Sequence, residues 1–288
     1  MSAGWCRPII SFLCLLLSLP MAAAASDAPD GLGLIVCAPG YPGSTAEAQP
    51  AMDGLAEAVS EAAGWPPGAL TAAYFEDETA GVSALDDPHA GLALVTLPFF
   101  LEHRKSLGLR PVLLAVPTGR RAAEPWTLVA GAGKVAAPTD LDGWTVMSLA
   151  GHSERFVRGV ALGDWGELPD SATISFSPRV LTALRKAARG EPVAVLLDAE
   201  QAAAIDTLPF ADQLEVVHRS PPVPVSVLCL VDDRVPETKV KVLIAALSSL
   251  AGRASAADAL AGVRIERFES IDEDALDRAV AAFTEAGG

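Results

Sequence analysis

Short, almost purely apolar runs alternate along most of the chain with stretches whose apolar residues recur every three to four positions. The first pattern fits strands covered on both faces, the second helices with one buried side. Strands are expected at Leu32–Cys37, Leu70–Phe75, Leu92–Leu97, Val112–Val116, Trp126–Ala130, Thr145–Leu149, Thr173–Phe176, Val193–Leu197, Leu214–His218, Val225–Val231 and Val263–Phe268. Between them, Met52, Leu55, Ala56, Val59 and Ala63 share one helical face, with Pro50 expected in the first turn and Gly64 closing the helix. A helical stretch from about Ser153 turns Phe156, Val157 and Val160 inward. Ser177-Pro178 reads as a cap and N1 proline, followed by a core face of Leu181, Leu184 and Ala188, with Gly190 as the stop. Asp198 caps a short alanine-rich helix, and two more helices are expected at Pro236–Leu250 and Asp272–Ala286. Strands alternating with helices predict an α/β protein with mainly parallel sheets.

Two proline-marked segments interrupt this rhythm, Glu124-Pro125-Trp126 and Ser220-Pro-Pro-Val-Pro224. Stiff connectors of this kind suit rigid-body hinge motion. Cutting there yields a discontinuous lobe of 26–125 plus 221–288 and a second lobe of 126–220, each of ordinary domain size.

Composition changes the picture at the N-terminus. Arg7 precedes the apolar run Pro8–Leu19, and Ala22–Ala25 supplies small residues of the Ala-x-Ala type. Residues 1–25 are therefore expected to be a cleavable signal peptide. The run is short for a membrane span, which needs about 20 apolar residues. No stable membrane insertion is expected after cleavage, and the mature protein is expected in the periplasm or otherwise secreted. Cleavage removes Cys6 and Cys14 and leaves Cys37 and Cys229, both inside strand-like runs. Two buried thiols are the simpler expectation, although an exporting compartment permits a disulfide.

The full chain carries a net charge of −15, and loss of Arg7 makes it −16. Such a field repels nucleic acid and gains nothing from anionic lipid. It suits a freely diffusing monomer. Four scattered histidines and no cysteine cluster give no metal-ligand spacing, and no cofactor is expected.

Several segments, taken together, resemble the periplasmic phosphate/phosphonate-binding family. They are the helix Pro50–Val59, the strand and Leu-Pro-Phe-Phe-Leu of Gly91–Leu101, Pro138-Thr-Asp-Leu-Asp-Gly-Trp-Thr-Val146, the helix-glycine-strand stretch Leu181–Asp198, and Val217–Pro224. Trp144 stands where that family usually has lysine. The resemblance implies a two-lobed type 2 periplasmic-binding-protein-like fold, each lobe a mostly parallel sheet flanked by helices. It implies a receptor that closes on a small ligand, usually an oxyanion such as phosphate or a phosphonate, and delivers it to the permease of an ABC-type transporter.

Helix N-termini and hydroxyls can hold an anion without net positive charge. Ligand clefts in open α/β sheets lie beyond the carboxyl ends of strands. Ser44, Thr45, Thr96, His152 and Ser153 occupy such places and are the candidate ligand contacts. Simple helix capping accounts equally well for Ser44, Thr45 and Ser153. Tyr41 joins the set from the loop after the first strand, with packing as its alternative; packing is preferred for Tyr74 and Trp126. Ala150-Gly-His-Ser-Glu-Arg155 departs from the family's Ser/Thr-rich turn, and Glu154 there opposes an anion while Arg155 favours one. The ligand's charge therefore stays open.

Other motifs fall short. Gly151-His-Ser153 has Arg155 where a nucleophile elbow needs glycine. Gly131-Ala-Gly-Lys134 lacks P-loop spacing and reads as a turn. The acidic run Glu76-Asp77-Glu78 and the pair Asp86-Asp87 read as a solvated face. A binding protein, not an enzyme, is the expectation; a sensing or partner-docking module of the same fold, or less favourably a serine hydrolase on Ser153, are the alternatives.

Overall fold

A computed structural model of the chain describes Met1 and residues 31–287. The expected signal peptide, apart from Met1, lies outside the described residues. The first half opens with β1 (Leu32–Cys37), α1 (Thr45–Ala63), β2 (Leu70–Phe75), α2 (Glu78–Leu85), β3 (Ala90–Thr96), α3 (Leu97–His103) and β4 (Leu109–Pro117). Next come the two-residue β5 (Ala123–Glu124), then β6 (Thr127–Gly131), β7 (Thr145–Ser148), β8 (Thr173–Phe176), α4 (Val180–Ala188), β9 (Val193–Leu197), α5 (Ala199–Ala203) and β10 (Leu214–Arg219). The chain returns through β11 (Val223–Pro224) to β12 (Ser226–Val231), α6 (Glu237–Ser249), α7 (Ala257–Gly262), β13 (Ile265–Glu269) and α8 (Glu273–Glu285).

One sheet has the order β13-β4-β12-β3-β1-β2, and a second has β10-β6-β9-β7-β8. The proline-marked segments meet each other: β5 and β11 pair antiparallel, with Val223 opposite Glu124. Trp126 N donates to Ser220 Oγ and Ser220 N to the Trp126 carbonyl, both at 2.9 Å. The two crossings therefore form one ribbon between the sheets.

The α/β architecture is as expected, but the sheets are mixed rather than mostly parallel. β1 is parallel to β2 and β3, and β7 to β8 and β9. β12 enters from the ribbon in the opposite sense and inserts between β3 and β4, so both of its ladders are antiparallel. β6, entering the second sheet from the ribbon, is antiparallel to β9 and β10. A chain that crosses and returns through one ribbon reverses the strands next to it, and the apolar runs alone carry no sign of direction.

Three local expectations also change. α1 begins at Thr45, not near Pro50, because Ser44 and Glu47 close a capping box five residues upstream. Pro50 thus lies inside the helix. α4 starts at Val180 with Arg179 at the cap position and no side-chain cap bond, so Ser177-Pro178 does not begin it. Its buried face is Ala183, Leu184 and Ala187, while Leu181 is exposed. Finally, the acidic run is structural: Asp77 caps α2 through Ala80 N, and Glu78 occupies its first turn.

One apolar cluster packs α1, α6 and α7 against one face of the first sheet. Another begins on the opposite face, with Phe99 and Phe100, and runs through Trp126 and Val223 of the ribbon to Phe156, Leu196 and Phe283. Phe283 belongs to α8, which packs on the π-helical turn Phe156–Ala161 next to the second sheet. The final helix thus crosses over, although 221–288 reads from sequence as belonging with the first lobe. Cys37 and Cys229 are buried free thiols. Among the described residues no single helix is long and apolar enough to cross a membrane.

Candidate functional site

Four strands deliver their carboxyl ends to one cleft between the sheets. β1 leads into the Pro39–Ser44 loop, β3 into Thr96, β7 into the 3-10 turn Leu149–His152, and β9 into Asp198. This is where the topology of open α/β sheets places ligands. A cavity of about 30 Å³ remains there, lined by Tyr41, Thr96, Arg120, Glu124, His152 and Asp198 among others, with Trp126 and Val223–Val225 of the ribbon at its back. That space takes one or two waters. The chain's own side chains fill the cleft.

The central contact is Tyr41 Oη donating to Asp198 Oδ2 at 2.7 Å, joining the first sheet's loop to the second sheet's strand. Burial, then the neighbouring Asp198 carboxylate, raises the Tyr41 hydroxyl well above its ordinary range. Tyr41 is therefore a fixed donor at any physiological pH. Asp198 is 6% exposed and also accepts from Gln201 N at 2.8 Å, capping α5. Arg120 forms an ion pair with Glu124 and a second, at 3.1 Å, with Glu200. Glu200 in turn takes Arg264 at 2.6 Å. The cleft holds more carboxylate than free cation.

A second polar seam lies beside this cavity. Glu78 Oε1 is 2.7 Å from His103 Nε2 and 3.5 Å from His152 Nδ1. The longer approach is not a hydrogen bond, and His152 Nδ1 is buried with no hydrogen-bond partner among the described residues. The His103 contact first, with His152 assisting, lowers the Glu78 carboxyl to about 2. Glu102 of α3 accepts from Ser153 Oγ at 2.7 Å and from Arg155 Nη2 at 2.8 Å. Each of these contacts except Glu78–His103 crosses from one sheet's unit to the other's.

Of the sequence-predicted residues, Tyr41, Thr96 and His152 line the cavity together. Ser44 and Thr45 stand apart. Ser44 closes the capping box with Glu47, and Thr45 Oγ1 donates to Glu76 at 3.4 Å. The α1 N-terminus is thereby occupied by the chain's own carboxylate. Ser153 is 1% exposed and held by Glu102, outside the cavity lining. Sequence reasoning missed Asp198, Arg120 and Glu124. Asp198 carried a signal, since it directly follows a strand, but its capping role concealed it.

No family model and no curated protein matches the sequence. Solved structures do match by shape. A Xanthomonas citri protein solved with bound chloride aligns at a TM-score of 0.70 and 16% identity, covering 90% of this chain and 99% of that one. PhnD1 of Prochlorococcus marinus, in complex with methylphosphonate, aligns at 0.62 and 13% identity over 90% of this chain and 99% of its own. A binding-protein component of an ABC phosphonate transporter from Pseudomonas aeruginosa aligns at 0.61 and 16% identity, covering 89% and 87%. At such identities the likeness shows the fold alone.

Proposed function

From the two-lobed periplasmic-binding fold that this chain shares with those structures, we propose that it is an extracytoplasmic solute-binding protein that closes its two lobes around a small organic ligand. The observation that carries the reading is the Tyr41–Asp198 hydrogen bond, which spans the lobes inside a cavity at the carboxyl ends of the strands. A ligand that enters the cleft meets the Asp198 carboxylate and the Tyr41 oxygen, whose own proton stays directed at Asp198. Both present acceptor lone pairs, so the group recognised there is an amine or another hydrogen-bond donor.

The narrower expectation of a bare phosphate or phosphonate fits this cavity less well. Asp198 and Glu124 line it against Arg120 alone, which is already paired with Glu124 and Glu200. The N-termini of α1 and α5 are capped by Glu47 with Ser44 and by Asp198. An oxyanion gains a place as the second end of an amine-bearing molecule, met by Thr96 and Arg120. The shared fold with an ABC phosphonate-transport component supports delivery to an ABC-type permease, and an extracytoplasmic location belongs to the same reading. Burial of Ser153 against Glu102, away from the cavity, favours binding over hydrolysis at that hydroxyl.

A thermal-shift screen of the mature chain against amines, amino acids, phosphate, phosphonates and aminophosphonates tests this. A binder of the native state raises the melting temperature by linkage, about 2.7 kcal/mol of stability at a hundred times its Kd. At least one amine-bearing solute is expected to shift wild type and to lose its effect on Asp198→Asn. A screen in which nothing shifts, or in which only anions shift and Asp198→Asn strengthens them, contradicts the amine reading.

A further inference from the structure

The cleft cavity opens onto a much larger space. A chamber of about 870 Å³ lies in the first lobe, and Tyr41, Thr96, Arg120 and Val225 line both. Its floor is the cleft end of the first sheet, with Leu94 of β3 and Ala115 of β4, and its walls are α1 and α7, with Met52, Leu55 and Leu260. Its volume falls in the range of sites that enclose drug-sized ligands. Ala257 and Ala261 are exposed, so the space is open to solvent along α7.

The chamber exists because of the residues chosen for it. Ala48 and Ala51 of α1, Ala115, and Ala257 and Ala261 of α7 all face it. Leucine or isoleucine at these positions would fill it. Most of the lining is apolar, with a few charged side chains among it. The chamber's lining carries Glu47, Glu200 and Glu266 against Arg120 and Arg264, and the cleft adds Glu124 and Asp198; Glu266 also pairs with Arg267 at 2.8 Å. Arg120 and Arg264 are already bonded to Glu200, at 3.1 and 2.6 Å. The charge around the two spaces is thus net acidic, and Tyr41, which lines the chamber, is bonded to Asp198 in the cleft.

We propose that the ligand is an amphipathic organic cation, with an amine head at Tyr41 and Asp198 and an aliphatic or aromatic body in the chamber between α1, α7 and the first sheet. This rests on the binding function argued above and names its ligand class. The chamber then determines chain-length specificity and the cleft determines head-group charge.

Calorimetric titration with the n-alkylamines from ethyl to octyl, at submicellar concentration, tests the assignment on the full chain freed of its signal segment. Burying each methylene in an apolar site is worth a three- to fourfold gain in affinity. Affinity is expected to climb by that factor per methylene in wild type, until the chamber is full. In Ala48→Phe, and in Ala261→Trp on the exposed α7 surface, the slope is expected to flatten. Circular dichroism and melting temperature establish that each variant folds, and either folded variant suffices. A slope near zero in wild type, with ethylamine binding and sensitive to Asp198→Asn, overturns the chamber and leaves the cleft reading standing. A slope that persists in both folded variants also overturns it. Length-dependent binding that Asp198→Asn does not weaken refutes the shared ligand, because the chamber would then act without the cleft. Failure of every amine to bind overturns both.

Discussion

At the residue scale, the cleft is organised by pairs whose partners are far apart in sequence. Tyr41 and Asp198 are separated by 157 positions, Ser153 and Glu102 by 51. Tyr41→Phe removes one hydrogen bond and leaves a buried carboxylate with its capping bond alone, so a loss of about 1–2 kcal/mol is expected in urea unfolding. A stability equal to wild type would mean that the lobes do not meet through this bond in solution. Glu78 offers a pH test. Its folded value of about 2 lies below the ordinary 4.5. The stability it adds is complete above 4.5 and disappears as pH falls through about 2. The group is partly exposed, so the contribution is screened to about 1 kcal/mol. Wild type should therefore exceed Glu78→Gln at pH 7, and the gap should close near pH 2; a gap independent of pH would assign the effect to packing. Local signals in the sequence found Tyr41, Thr96 and His152, because each lies at or just beyond the carboxyl end of a strand. They could not find Arg120 or Glu124, whose place depends on a ribbon formed between distant segments. The acidic run was read as solvent-facing because its partners, His103 and His152, come from other elements.

At the element scale, close backbone approaches fix the site's geometry. A Cβ on Gly151 would lie 2.4 Å from the Ser175 carbonyl group, between the turn that carries His152 and strand β8. Gly151→Ala is expected to cost about 1–3 kcal/mol and to weaken solute binding together with stability. Gly159 plays the same role for α8, since a Cβ there would meet the Ala282 carbonyl oxygen and Ala286 Cβ at 2.6 Å. Gly159→Ala should push α8 off the turn and lower the melting temperature; an unchanged melting temperature would place α8 elsewhere in solution. β1, β2, β8 and β9 were legible to the residue, because each is a bounded apolar or β-branched run. α1 and α4 were not. In α1 a capping box outweighed the proline rule, and the α4 face follows from contact with β6 and β9 rather than from spacing.

At the scale of the whole molecule, ribbon and cleft are two ends of one construction. The β5–β11 ribbon carries both chain crossings, and the cleft opens beside it with Val223–Val225 at its back. The prolines marked in sequence the two crossings that pair as this ribbon, and the α/β alternation made the fold class visible. Sheet direction and the destination of α8 were hidden, because both depend on where the returning chain inserts. The cleft is lined by Asp198 and Glu124 against the already paired Arg120, and this acidic balance is the basis for proposing an amine rather than a bare oxyanion. The most direct test is calorimetric titration of wild type and Asp198→Asn with ethylamine, aminoethylphosphonate and ethylphosphonate. The account predicts saturable one-to-one binding of the amine-bearing probes, weakened at least about tenfold by the substitution, in line with loss of a charge-assisted bond. Binding of ethylphosphonate alone, or amine binding that is indifferent to Asp198, would contradict it.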